Sequence, residues 1–154
     1  MKHLRRLLAC AAALIAPSLG AQTVAFTVTS TGAAFANPTL ADYAAGYVNN
    51  TTPITYRVQL SSGSAGRTYT TTVMVQATAT TFGTKVLSDL QAGTGATYQA
   101  MTSGSTWVTL ASHVLTTTSQ QATGSIYVRS LLNWGDNAAS YTVPLRFQIS
   151  VVRQ

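Results

Sequence analysis

The stretch YTVPLRFQISVVRQ, residues 141–154, places an apolar side chain at every second position. The alternating residues are Tyr141, Val143, Leu145, Phe147, Ile149 and Val151. A period of two residues is typical of a β-strand that has one buried face and one face in water. The sequence therefore predicts a long strand here, whose apolar face fills either the core of its own domain or that of a neighbouring copy.

The same alternation returns along the chain in segments rich in Thr, Val, Ile and Tyr, separated by turn-forming runs such as SGSAG and NWGDN. Branched and aromatic side chains favour strands because they pack well on a pleated, half-buried surface. No stretch of ten residues beyond residue 21 has a helical period. We therefore predict an all-β fold, an antiparallel Greek-key β-sandwich of the immunoglobulin-like type with about eight strands. The predicted strands are 22–30, 54–60, 69–77, 85–91, 96–101, 107–110, 125–132 and 141–152.

The entry to the last strand has the spacing of a tyrosine corner, with Asn137 four residues before Tyr141. In such a corner the phenol bonds back to the backbone where the chain crosses between sheets. The alternative is an ordinary turn before a strand that begins with Tyr. A corner would keep the last strand in its own domain, and the strand at 22–30 would then be the freer one. A small-residue hinge is expected at 31–34, and the candidate exchanged strand carries Val24, Phe26 and Val28.

Residues 1–21 have the anatomy of a secretory signal peptide. Basic residues come first, a short apolar run extends from Leu7 to Ala16, and small residues follow at a cleavage point near Ala21. A lipid attached to Cys10 is the weaker alternative, because only three apolar residues precede that cysteine. We therefore expect a single domain at residues 22–154, secreted to the periplasm, the cell surface or the extracellular space.

The charge pattern argues against a nucleic-acid partner. The leader carries three of the nine basic residues, so the formal net charge falls from +6 to +3 once it is removed. The remaining basic residues are scattered singly, whereas a nucleic-acid site clusters them with aromatic residues. No segment approaches the roughly 18 unbroken apolar residues that a transmembrane helix needs. We expect neither nucleic-acid binding nor a transmembrane segment.

Catalytic side chains are scarce beyond residue 21, where there is no Glu, no Cys, one His and three Asp. Acid–base catalysis needs a carboxylate or an imidazole held near a partner, and a glycosidase needs two facing carboxyls. We expect Asp42, Asp89 and Asp136 to be turn or cap residues, and His113 to lie at a strand end facing solvent or a loop. The sequence thus predicts no enzymatic activity, no metal site and no cofactor.

Two surface features suggest binding instead. Charged residues make up 8% of the chain, against about 25% in ordinary soluble domains, so strand edges lack the charges that usually prevent pairing with other chains. Such edges are either built for assembly or covered by loops. Exposed aromatic rings can also hold sugars, and the candidate ligand contacts are Trp134, Tyr43 and Tyr47. Trp107 alternates in phase with a strand and is expected in the core.

The leader, the Thr-rich alternating strands and the final corner with its strand together resemble secreted bacterial immunoglobulin-like surface proteins of the pilin-like and spore-coat-U-like kinds. Those proteins often carry a disulfide, which is absent here, and their usual terminal pattern is not reproduced. The resemblance implies a secreted structural subunit of a fimbria or coat, assembling with copies of itself or other surface subunits through exposed strand edges. The alternative is a carbohydrate-binding or adhesive module.

Overall fold

A computed structural model describes residues 22–79, 81–102 and 106–154, so the expected leader lies outside the described residues. Within these ranges the chain forms twelve β-strands, one short α-helix and one 3₁₀ turn at Leu87–Asp89. The elements are β1 (Thr23–Val28), β2 (Gly32–Phe35), α1 (Leu40–Ala45), β3 (Tyr47–Asn49), β4 (Ile54–Ser62), β5 (Tyr69–Ala77), β6 (Thr81–Phe82), β7 (Lys85–Val86), β8 (Leu90–Gly93), β9 (Tyr98–Ala100), β10 (Val108–Leu115), β11 (Gln121–Leu131) and β12 (Tyr141–Arg153).

The strands form two main sheets and one small hairpin, and every pairing is antiparallel. One sheet has the order β1-β4-β11-β8-β9, with β3 also paired to β11. The other has the order β10-β5-β12-β2, and β6 pairs with β7 alone. The predicted all-β class with antiparallel sheets is confirmed. No helix among the described residues has the length and apolar character needed to cross a membrane.

The described residues contain more strands than the eight predicted, because several strands are too short to show alternation. β2, β3, β6 and β7 have four residues or fewer. The predicted strand at 85–91 is broken by the 3₁₀ turn. Leu87 and Leu90 are both buried although they lie three residues apart, a spacing that a regular strand would place on opposite faces. The turn is what lets both leucines reach the core.

Helix α1 is set by its ends rather than by an apolar face. The Thr39 side chain accepts a hydrogen bond from the Asp42 backbone N–H, and the Asp42 carboxylate accepts from the Thr39 N–H. This reciprocal capping box satisfies donors that the first turn leaves unpaired. Gly46 ends the helix with a φ of 78°, in the left-handed region that glycine adopts at little cost. Asp42 is thus a cap residue, as expected.

The expected hinge at 31–34 is wrong, because most of that segment is a strand. Gly32–Phe35 forms β2 and pairs with the start of β12. The side chains of Ala33 and Phe35 are buried in the core, which fixes this segment in place. The crossing from one sheet to the other is therefore confined to Thr29–Thr31.

One hydrophobic cluster contains buried residues from both main sheets. Val58 of β4 and Val128 of β11 belong to the first sheet, and Val75 of β5 belongs to the second; all three are fully buried. Trp107, which was expected in the core, is half-buried and outside this cluster. It precedes β10, and the neighbouring Val108 occupies the buried position instead.

Strand β12 changes partners along its length. Residues 141–144 pair with β2, and residues 145–153 pair with β5. Pro144 lies at the change, opposite Thr78, and because it has no N–H to donate, the ladder with β5 ends here, next to Ala77, the last residue of β5. Its carbonyl accepts a hydrogen bond from Thr78. The last strand thus packs within its own sheet, which answers the question raised by its apolar face.

Of the two alternatives for the start of β12, the tyrosine corner lacks its defining contact, which leaves the ordinary turn before the strand. Among the described residues, the Tyr141 hydroxyl forms no hydrogen bond to the upstream backbone. Its ring packs instead against Phe35 and Phe82, with ring centroids 5.1 and 5.3 Å away. Burial raises the pKa of Tyr141, and the nearby Ser130 side chain opposes that shift. Aromatic packing is what holds this end of the strand.

Candidate functional site

The second half of β12 has one paired side and one unpaired side. In an antiparallel strand, successive residues direct their backbone groups to opposite sides. Gln154 exchanges hydrogen bonds with Thr68, at 2.8 and 3.4 Å, so even-numbered residues of β12 face β5. Leu145 faces the other way and donates to the Thr31 carbonyl at 2.7 Å. Beyond Leu145, no described strand pairs with that side of β12.

The unpaired side belongs to Phe147, Ile149 and Val151, which we call the open edge. Their backbone N–H and C=O groups face away from β5, and their side chains are only half-buried against the core. Further up the same face of the strand, Val143 and Leu145 are buried, with 0% and 4% exposure. The core is therefore less covered where β12 loses its second neighbour.

Strand β1 lies at the edge of the other main sheet and has a similar half-covered face. Val24, Phe26 and Val28 alternate as the sequence predicted, and all three are half-buried against the core. β1 pairs only with β4, and it contacts β12 without pairing to it. Neither β1 nor the 147–151 stretch contains a charged residue. Two apolar, uncharged edges thus lie close together on this side of the molecule.

Two of the three predicted ligand contacts come together in a second place. The rings of Tyr43 and Trp134 stack with centroids 5.5 Å apart and planes 20° from parallel. The Tyr43 hydroxyl donates to the Asp136 carbonyl at 2.8 Å, which fixes the Tyr43 ring beneath the Trp134 ring. Trp134 is 72% exposed, so this ring is largely open to solvent. An exposed, supported aromatic face is the arrangement that stacking ligands need.

A charged cluster lies beside this aromatic pair. Lys85 is buried, and its ammonium group contacts Asp136 at 2.6 Å and Asp89 at 3.1 Å. Burial lowers the pKa of Lys85, but the hydrogen bonds and charges of the two aspartates outweigh it, so the net pKa is raised. The hydrogen bonds from Lys85 and from the Asn133 N–H lower the pKa of Asp136. Lys85 and Asp136 also line a cavity of about 200 Å³ with Phe82.

Known proteins give no further guide to these sites. No protein-family model, curated protein sequence or solved structure matches this chain. The candidate sites therefore rest on their own geometry.

Tyr47, the third predicted ligand contact, lies in a separate cluster around Arg129. The Arg129 guanidinium carbon is 5.0 Å from the Tyr47 ring centroid and 4.0 Å from that of Tyr98. The Arg129 Nε donates to the Gln91 side chain at 2.8 Å. Tyr47 therefore belongs to a cation–aromatic group on the face of the six-stranded sheet.

His113 lies inside β10, so its expected position at a strand end is wrong. A register shift between Thr109 and Ala111 turns His113 and Leu115 toward the face on which Val108 is buried. Its Nε2 lies 2.8 Å from the hydroxyl of Tyr56, which projects from β4 in the other sheet. Burial lowers the pKa of His113 and raises that of Tyr56. The pair links the two sheets through the core.

The described acidic residues are all engaged in local structure. Asp42 caps α1, and Asp89 and Asp136 share Lys85. Among the described residues, no group of three or more His, Cys, Asp or Glu side chains is placed to hold a metal ion. The Lys85 and Arg129 clusters were not predicted, because the basic residues were expected to lie singly. The one available signal was that Lys85 and Asp89 are four residues apart, a spacing suited to an ion pair on a helical turn.

Proposed function

We propose that this chain is a non-enzymatic structural protein of the cell surface or extracellular space, a fimbrial- or coat-type subunit. In this proposal the fold is an immunoglobulin-like Greek-key β-sandwich, and copies assemble by adding a strand along the open edge. The observation that carries the proposal is the unpaired outer side of Phe147, Ile149 and Val151, next to a half-covered core.

An added strand would pair the free backbone groups of the open edge and would also cover its half-buried side chains. Its unpaired backbone groups offer a row of donors and acceptors to an incoming strand, while its half-buried side chains gain cover. Full burial of one large apolar side chain contributes about 1.5–3 kcal/mol. Completing about half of that burial for the three side chains of the open edge supplies on the order of 2–4 kcal/mol. Micromolar association needs about 8 kcal/mol, so the new backbone hydrogen bonds along the edge, at about 0.5–1.5 kcal/mol each, must supply the rest.

The occupant we favour is β1 of a second copy. Its sequence, TVAFTV, presents an apolar face of the same length as the open edge, and it has no charge to oppose pairing. β1 also contacts β12, and among the described strands it pairs only with β4. The short Thr29–Thr31 crossing is all that joins it to the fixed strand β2. Such an exchange gives up the β1–β4 pairing within its own copy and leaves the other strand pairings in place.

The decisive experiment removes one edge N–H without removing a ladder bond to β5. Val151→Pro does this, because residue 151 faces away from β5, and Val151→Ala is the matched control that shortens the side chain but keeps the N–H. We expect light scattering to detect concentration-dependent oligomers for the wild type and Val151→Ala, and monomers for Val151→Pro. Deleting residues 22–30 should also give monomers. A wild-type protein that stays monomeric at high concentration contradicts the proposal.

A carbohydrate-binding role is the second candidate, and the Tyr43–Trp134 stack favours it. The outer ring is 72% exposed, and the inner ring is held by a hydrogen bond to the Asp136 carbonyl. Glycan-array binding should fall after Trp134→Ala and persist after Val114→Ala, which shortens an exposed apolar side chain on β10. Binding that is unchanged by Trp134→Ala excludes this site.

A further inference from the structure

Arg129 lies on the outward face of the six-stranded sheet. Its neighbours in β11, Val128 and Ser130, are both fully buried, so strand alternation directs Arg129 to the opposite face. Tyr47 comes from β3 and Tyr98 from β9, which lie on opposite sides of β11 in the sheet. The guanidinium is therefore held between two rings contributed by different strands.

These contacts fix the orientation of the guanidinium but leave most of its donors unused. Among the described residues, only the Gln91 side chain accepts a hydrogen bond from Arg129, through its Nε–H, so the four N–H groups of the two Nη atoms are available. None of the described carboxylates pairs with Arg129. A fixed, planar cation without an acidic partner is suited to binding an external anion.

We propose that Arg129, Tyr47, Tyr98 and Gln91, here called the Arg129 platform, bind uronic acid units of acidic polysaccharides. The planar fork of the two Nη atoms matches a carboxylate, which it can hold through two parallel hydrogen bonds. Tyr47 and Tyr98 are half-exposed, and the apolar face of a sugar can pack against the part of each amphipathic ring that the guanidinium does not cover. This site is separate from the open edge and from the Tyr43–Trp134 stack, and it adds a ligand class to the proposed function.

The test compares two ligands that have the same sugar backbone, one with free carboxylates and one with neutral methyl esters. Isothermal titration calorimetry with oligogalacturonate should show binding, and the fully methyl-esterified oligomer should bind at least ten-fold more weakly. Dextran sulfate serves as a polyanion without carboxylates. Equal binding of the esterified oligomer, or binding of dextran sulfate as tight as that of oligogalacturonate, overturns the proposal, as does the absence of oligogalacturonate binding.

Matched variants assign the binding to the platform. Arg129→Lys keeps the charge but loses the planar fork, and we expect about ten-fold weaker binding of oligogalacturonate. Arg57→Lys is the control, because Arg57 is exposed on β4 of the same sheet and contacts no aromatic ring. Its affinity should change less than two-fold. Equal losses for the two variants would mean that the ligand follows overall charge, which contradicts the proposal.

Two further measurements separate binding from folding and from assembly. Tyr98→Phe keeps the ring on the guanidinium, so it should retain binding, and circular dichroism melting of each variant identifies any that unfold. All titrations are repeated in the Val151→Pro background. Binding that persists there is independent of strand addition, whereas binding that is lost together with assembly refutes a site within one subunit.

Discussion

Replacing Lys85 by Met tests whether the buried cation stabilises the fold. Its ammonium group contacts Asp136 at 2.6 Å and Asp89 at 3.1 Å, and its side chain is 8% exposed. Removing one member of a buried ion pair costs about 3–5 kcal/mol, because the remaining charge stays desolvated. The two carboxylates here are 24% and 27% exposed, so water compensates part of that loss. We expect a destabilisation of about 2–3 kcal/mol, which lowers Tm by on the order of 10 °C.

The assay is urea unfolding followed by circular dichroism, with Arg57→Met as the control for an exposed cation. A double-mutant cycle with Asp136→Asn isolates the Lys85–Asp136 interaction from other effects of the two substitutions. The coupling should be favourable and larger than that measured with Asp89→Asn, since the contact with Asp136 is shorter. A destabilisation of Lys85→Met no larger than that of Arg57→Met would refute this account of the cluster.

Three further predictions concern other contacts. Because burial lowers the pKa of His113, unfolding should become easier as the pH falls below about 6.5. The stability that neutral His113 contributes is fully present above its unfolded-state pKa and is lost as the pH falls through its folded-state pKa. His113→Gln should therefore flatten this part of the curve of unfolding free energy against pH. Gly124→Ala should cost about 1–3 kcal/mol in urea unfolding, because a Cβ there overlaps the Tyr56 hydroxyl; a neutral result would mean that the ring can move freely. Thr39→Ala should cost about 1 kcal/mol by removing the cap of α1, and Thr39→Ser should recover most of it.

The long strands could be predicted from sequence because alternation is a local signal. β4 and β5 bury every second side chain over most of their length, β12 alternates half-buried or buried with exposed side chains, and the predicted and observed bounds of all three agree closely. β2 could not be predicted in this way. It has four residues, and its place is decided by Ala33 and Phe35 packing in a core built from distant parts of the chain. Local patterns carry no information about such partners.

The candidate sites likewise combine features that local sequence predicts with features that distant contacts decide. The alternating face of β1 and the exposure of Trp134 follow from local sequence, and both were anticipated. The open edge could not be predicted, since it depends on the second half of β12 having only one described neighbouring strand, β5. The position of His113 depended on a register shift in β10, which inverts the expected alternation. Pairing and register are set by tertiary contacts, so sequence patterns alone do not fix them.

The partner change in β12 has a consequence for the time course of folding. β2 can pair only when Tyr141–Pro144 is available, about a hundred residues further along the chain. Closing so large a loop costs entropy before any contact repays it, and proteins rich in such distant pairings reach the native state slowly. During synthesis, β2 must wait for β12, which follows every other described strand, while β5 can pair first with β10. Until β12 has been synthesised, β2 stays unpaired and its apolar side chains stay exposed to other chains.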